Sequence, residues 1–172
     1  MDAVGVASNA ILYGIVIIAV VQDFYSMRIS NRLIGIGLAS GLGFRIILEG
    51  PIAIVYFLVN TATPVIMLYL LFLIGAIGAG DIKLFSVIGS FVNFKQLILC
   101  IGVSFLFGAA VSIFRMIQNR NLQRSVFHAL GYFRELMQGN YFSYRETNYE
   151  RHNVIHFSLA ICLSILAVKG VM

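Results

Sequence analysis

The chain has 172 residues, of which 60% are hydrophobic and 11% charged, and its mean hydropathy is +0.93. Soluble domains average about 25% charged residues, so this composition excludes a soluble globular domain and predicts an integral membrane protein. The net charge of +5 does not indicate nucleic-acid binding, because most of the basic residues lie in loops between apolar segments. The size fits one membrane domain, residues 1–172.

Six apolar segments follow one another along the chain, so we expect an all-α protein with six transmembrane helices. They cover residues 4–21, 33–48, 51–77, 82–92, 96–114 and 153–171. The first is not expected to be a cleavable signal peptide, because no basic region precedes it. The fourth, of roughly 11 residues, is too short to cross a hydrocarbon core of about 30 Å. It therefore either begins inside the membrane near Gly80 and Asp81 or lies where the bilayer is thinned.

The distribution of Lys and Arg predicts the orientation, because cytoplasmic loops carry the excess of basic residues. If six helices alternate, most of the 12 basic residues fall on one side, and only Arg45, Lys95 and Lys169 fall on the other. We therefore expect the N-terminus outside and the loop 115–152 in the cytoplasm. The apolar spacing within that loop predicts an amphipathic helix at the headgroups. Arg45 is expected to pair with Glu49 at i,i+4.

Two aspartates mark the expected functional site: Asp23, at the end of the first apolar segment, and Asp81, in Gly78-Ala79-Gly80-Asp81. Acidic residues at membrane depth are costly and rare, and the topology places both on the same side. Two neighbouring carboxyl groups share one proton and can activate a water together. This pattern indicates aspartyl proteolysis, which needs no metal and no cofactor. His156 lies level with the acids, but no metal-ligand spacing supports a metal site there.

Two stretches resemble the motifs of a known family. The segment Gly78-Ala79-Gly80-Asp81-Ile82-Lys83-Leu84, followed by Gly89, is similar to the GxGDxKL segment of type IV prepilin peptidases, which are bacterial membrane aspartyl proteases. The stretch from Asp23 to Asn31 is similar to that family's Asp followed by Arg-x-Ile-Pro-Asn. The two motifs have the expected order, each beside the expected apolar segment.

The resemblance implies a bacterial inner-membrane, multi-pass enzyme that removes the basic leader from prepilin or pseudopilin precursors at the cytoplasmic face. It implies catalytic roles for Asp23 and Asp81, and only an indirect connection with the pilus assembly machinery. Ser30 stands where the family usually has proline. The cysteine-rich region of longer members, associated with N-methylation, has no counterpart in this sequence. The chain therefore resembles the short, peptidase-only form of Flp-type pilus systems.

The remaining candidate residues each have a functional and a structural interpretation. Gly78 and Gly80 would let the backbone approach a peptide closely and adopt positive φ if required. Lys83 would pair with a carboxylate or extend to the headgroups. Arg28 and Asn31 would position the loop around Asp23, although topology alone would explain an arginine there.

Three other functions remain open. A small proton-coupled transporter would use Asp23 and Asp81 as a proton relay. A non-catalytic membrane scaffold would tolerate replacement of either aspartate. A presenilin-like protease would share the GxGD sequence, but those proteins have more spans, a PAL motif and usually a Tyr before the first Asp, whereas Gln22 precedes Asp23 here.

Overall fold

A computed structural model of the chain describes residues 3–118 and 157–171, and the side chains of 3–114 and 157–170. The described part contains six α-helices and no strand, which confirms the all-α prediction. They are α1 (Ala3–Ser26), α2 (Asn31–Glu49), α3 (Ala53–Leu73), α4 (Ala79–Phe91), α5 (Phe94–Gln118) and α6 (Phe157–Val171).

Four of these helices are long and apolar enough to cross a membrane: α1, α2, α3 and the 94–114 part of α5. Many of their large apolar side chains are exposed, as expected of surfaces that face lipid. The protein is therefore a multi-pass membrane protein. The helix α6 is a shorter apolar helix, and the 13 residues of α4 extend only about 20 Å. Six complete spans and the orientation stay predictions.

The helix boundaries correct the hydropathy pattern in three places. Helix α1 continues to Ser26, so Asp23 lies in its last turn and not in a loop. Helix α4 begins at Ala79, which places Asp81 in its first turn. Helix α5 continues to Gln118, so the loop predicted from residue 115 cannot begin before residue 119. The predicted amphipathic helix and His156 lie outside the described residues.

The short helix α4 is at the centre of the packing. It contacts α1, α2, α3 and α6, and its residues 84–90 are all buried. Leu84, Phe85, Val87 and Ile88 are fully buried in the main apolar core. A helix that is covered on every side by protein does not have to match the thickness of the bilayer by its own length.

Polar groups from α2 and α3 satisfy the C-terminal end of α4. Arg45 is buried, and its Nε donates to the Ser90 carbonyl at 2.9 Å and its Nη2 to the Val92 carbonyl. Asn60 Nδ2 also donates to the Val92 carbonyl, at 2.9 Å. The expected pair of Arg45 with Glu49 is confirmed at 3.3 Å. These bonds provide donors for carbonyls that a helix end leaves without partners.

The chain divides into two compact units. The first, Met1–Phe107 with His156–Met172, contains α1 to α4, most of α5, and α6. The second, Gly108–Ile155, is described only at residues 108–118, which form the C-terminal part of α5. The groups discussed below belong to the first unit. One domain for the whole chain remains a prediction.

Candidate active site

Asp81 belongs to the N-terminal turn of α4. Gly78 is the N-cap, with an extended conformation at φ −74° and ψ 146°, and Asp81 is the third residue of the helix. At this position a carboxylate can reach back to the N-cap backbone, and the Gly78 N–H does bond to the Asp81 carboxylate. The positive end of the helix dipole further favours an anion here.

The second aspartate is close enough to affect the titration of the first. Burial raises the pKa of Asp81 most strongly, the negative charge of Asp23 raises it further, and the Gly78 hydrogen bond lowers it. Together they move the pKa of Asp81 from 3.8 to about 6. The structure therefore places the two carboxyl groups within electrostatic range of each other, from helices that are distant in sequence, and Asp81 keeps its proton to a higher pH than an ordinary aspartate.

Asp23 is held by a residue that the sequence analysis did not identify. Ser158, in the first turn of α6, donates from its Oγ to Asp23 Oδ2 at 2.6 Å, and the serine is fully buried. In sequence, Ser158 is a small residue in an apolar segment, where serine commonly serves helix packing. Only its position at the start of the last segment, level with the acids, could have indicated a role.

Two further predicted residues meet directly. Lys83, two residues after Asp81, donates from Nζ to Asn31 Oδ1 at 2.9 Å. Asn31 is the first residue of α2, so this bond joins the start of α2 to the first turns of α4. Lys83 is exposed, and its bond is to an amide and not to a carboxylate.

Arg28 lies in the loop after α1, and the two glycines differ in how closely other atoms approach them. The Arg28 side chain is exposed, and its backbone carbonyl accepts a bond from Ser26 Oγ. A Cβ at position 78 would lie 3.2 Å from Asp81 Oδ2, whereas a Cβ at position 80 would make only ordinary contact with Ile29. Neither of these glycines has positive φ in this structure, where Gly50 and Gly75 are the described glycines that have it. Close approach therefore matters at Gly78 more than at Gly80.

The loop between α1 and α2 is anchored where the family usually has proline. Ser30 has φ −64°, within the range of proline, and is the N-cap of α2, accepting from the Arg32 N–H at 3.3 Å. Its own N–H donates to Gln22 Oε1 at 2.9 Å. The serine thus keeps a proline-like backbone and adds two hydrogen bonds that a proline could not make.

An apolar groove of about 420 Å³ lies between α2, α3 and α4. Its polar lining residues are Thr61, Lys83 and Ser86, and its apolar ones are Ile34, Leu38, Leu58, Ala62, Val65 and Ile66. Lys83 connects it in sequence to the turn that carries Asp81. Within the described ranges, no group of three or more His, Cys, Asp or Glu residues is arranged to hold a metal ion.

The comparisons with known proteins agree with the motifs. The model of the type IV leader peptidase family matches residues 10–113, which include both aspartates, Lys83 and the groove. No curated protein and no solved structure matches the chain. The matched region covers more than half of the 172 residues, and it contains the helices that bring Asp23 and Asp81 together. The chain belongs to the type IV leader peptidase family.

Proposed function

We propose that the protein is an aspartic endopeptidase that removes the leader from prepilin-like precursors with a water activated by Asp23 and Asp81. The observation that carries this proposal is the electrostatic interaction of the two carboxyl groups: burial and the negative charge of Asp23 raise the pKa of Asp81 to about 6. Family membership supports leader peptidase activity. The acid pair supplies the mechanism.

A pair of carboxyl groups that shares one proton can hydrolyse a peptide bond without a covalent intermediate. The ionised carboxylate accepts a proton from water as the oxygen attacks the scissile carbonyl carbon, and the protonated carboxyl donates its proton to the carbonyl oxygen. Collapse of the tetrahedral intermediate breaks the C–N bond and transfers a proton to the leaving amine. The products are a leader with a new carboxyl group and a mature chain with a new amine, and the pair again shares one proton.

The substrate reaches the acids as an extended strand in this proposal. A helix hides its amides in internal hydrogen bonds, so the junction between the leader and the apolar helix of the precursor must be unwound at the site. The predicted orientation places the site at the cytoplasmic face of the inner membrane, where a positively charged leader would be retained.

Purified protein incubated with candidate precursors, followed by mass analysis of the products, tests the proposal. We expect a mass loss equal to the leader with the wild type, and no cleavage with Asp23→Asn or Asp81→Asn. Glu49→Gln is the control, because it makes the corresponding acid-to-amide change at a carboxylate outside the proposed site, which is 38% exposed and paired with Arg45. It should retain cleavage at temperatures where the variant is folded. Cleavage by both aspartate variants would refute the acid pair.

Two further outcomes would indicate another function. A wild type that leaves every precursor intact but moves protons across vesicles would favour the transporter. We expect cleavage to continue in the presence of a chelator, because the two carboxyl groups supply the base and the acid. A complete loss that is reversed by adding a metal would instead favour a metal centre.

A further inference from the structure

The hydrogen bond from Ser158 to Asp23 connects residues 135 positions apart and lies at the centre of the proposed site. We propose that Ser158 is a positioning residue that orients the Asp23 carboxyl group within the acid pair. This inference rests on the proposed function. It goes beyond that function by naming a residue outside the two aspartates on which the reaction depends.

The bond between Ser158 and Asp23 has the geometry of a strong hydrogen bond to a carboxyl group. A hydroxyl that donates to a carboxylate makes a short, charge-assisted bond, and the 2.6 Å between Ser158 Oγ and Asp23 Oδ2 is in the range for such bonds. The bond fixes the direction in which the Asp23 carboxyl group points, because its acceptor oxygen is held by a fully buried donor.

The first turn of α6 is held rigidly against both helices that carry the acids. Phe157, the residue before Ser158, packs edge-on against Phe85 with ring centroids 6.4 Å apart. Phe85 lies one helical turn after Asp81. The Phe157 ring also packs against Phe105 of α5 at 5.6 Å. Phe157 thus contacts α4, and the next residue, Ser158, bonds Asp23 on α1. The start of α6 therefore fixes the two acids relative to each other.

A buried serine in the same helix provides a matched control. Ser164 is also fully buried, and its Oγ bonds with Ser104 at 2.7 Å and lies 3.0 Å from Cys100 Sγ. Ser158→Ala and Ser164→Ala therefore remove the same hydroxyl from equally buried positions of α6, but only the first touches an aspartate. Ser158→Thr retains a hydroxyl and tests whether the donor itself is responsible.

The experiment measures kcat, KM and thermal unfolding of the purified variants on a precursor that the wild type cleaves. We expect Ser158→Ala to lower kcat by about 10- to 100-fold, as is typical for loss of a hydrogen bond to a charged group. KM should stay close to that of the wild type, because Ser158 is fully buried. Any fall in the unfolding temperature should be similar to that of Ser164→Ala, which loses a hydroxyl from an equally buried position. Ser158→Thr should recover most of kcat, and Ser164→Ala should leave it unchanged.

Three results would overturn the inference: wild-type kcat in Ser158→Ala, an equal loss in Ser164→Ala, or no recovery in Ser158→Thr when its unfolding temperature is normal. If Ser158→Thr unfolds early, the comparison of kcat between Ser158→Ala and Ser164→Ala decides alone. Failure of the proposed function is distinguishable, because the wild type would then not cleave, or Asp23→Asn and Asp81→Asn would cleave as well as it does.

Discussion

Gly89 is the position where a single methyl group should disturb the site from a distance. In α3, Pro64 has no N–H to donate to the carbonyl of Asn60, four residues earlier. Gly89 of α4 packs directly against this carbonyl, and a Cβ at position 89 would lie 2.5 Å from the Asn60 oxygen. Real Cβ atoms stay at least 3.0 Å from such an atom, so Gly89→Ala requires a helix to move by about 0.5 Å or more.

This movement cannot be absorbed locally, because residues 84–90 of α4 are all buried and the nearest atoms to the new Cβ are backbone. Overpacking of this kind costs about 1–3 kcal/mol, which corresponds to a fall of roughly 2–12 °C in the unfolding temperature. Asp81 lies about 12 Å away along the same helix axis. Since displacements of about 1 Å can lower rates about 100-fold, we expect at least a tenfold loss of cleavage.

Thermal unfolding and precursor cleavage in detergent measure both effects. Gly102→Ala is the control, because it makes the same substitution within a helix, where a Cβ would meet no atom within 4 Å. It should be neutral or slightly stabilising, by up to about 1 kcal/mol. If Gly89→Ala unfolds and cleaves like the wild type, the close contact between α3 and α4 does not determine the position of Asp81.

Three other predictions concern Asp81 and the loop between α1 and α2. Because the pKa of Asp81 is raised from 3.8 to about 6, the folded protein binds more protons than the unfolded chain between these pH values, and its stability falls as the pH rises through this window. At about pH 7.5, Asp81→Asn should therefore have a free energy of unfolding up to about 3 kcal/mol higher than that of the wild type, and this difference should disappear near pH 3.5. An equal difference at both pH values would contradict this reasoning. Proline at position 30 fits the φ of −64°, but Ser30→Pro loses the N–H bond to Gln22 and the N-cap hydroxyl. We therefore expect thermal unfolding to show a free energy of unfolding lower by about 1 kcal/mol, with cleavage retained. A gain in stability would show that neither bond matters. Met27→Gly should raise the unfolding temperature by about 2–4 °C, because Met27 has φ 51°, where glycine is unstrained; a decrease would mean that the side chain contributes more than the backbone strain costs.

The sequence predicts the elements of this site better than their connections. Charge asymmetry and the apolar segments predict Asp23 and Asp81 on one side, and in the structure the charge of Asp23 acts on Asp81. The i,i+4 pair of Arg45 with Glu49 also follows from spacing alone. Both inferences depend on local rules, in which a residue's environment is determined by its position within one segment.

The helix ends and the contacts between helices do not follow from such rules. The hydropathy pattern ends at about residue 21, where the sequence becomes polar. The helical hydrogen bonds of α1 nevertheless continue through these polar residues as far as Ser26. The bonds from Ser158 to Asp23 and from Arg45 to the Ser90 carbonyl connect helices far apart in sequence. Their formation depends on how the helices rotate about their axes, which one sequence does not specify.

The shortness of α4 and the burial of Arg45 have a common physical cause. A helix that ends within the protein leaves carbonyl groups without intrahelical partners, and an unsatisfied polar group in an apolar environment costs several kcal/mol. Arg45 and Asn60 supply these donors at the end of α4, and Glu49 partly neutralises the arginine. With that end fixed, the 13 residues of α4 determine the depth at which its first turn, and therefore Asp81, meets Asp23. A longer helix could span the bilayer by itself, but the thickness of the lipid, and not contacts with α2 and α3, would then determine the depth of its two ends.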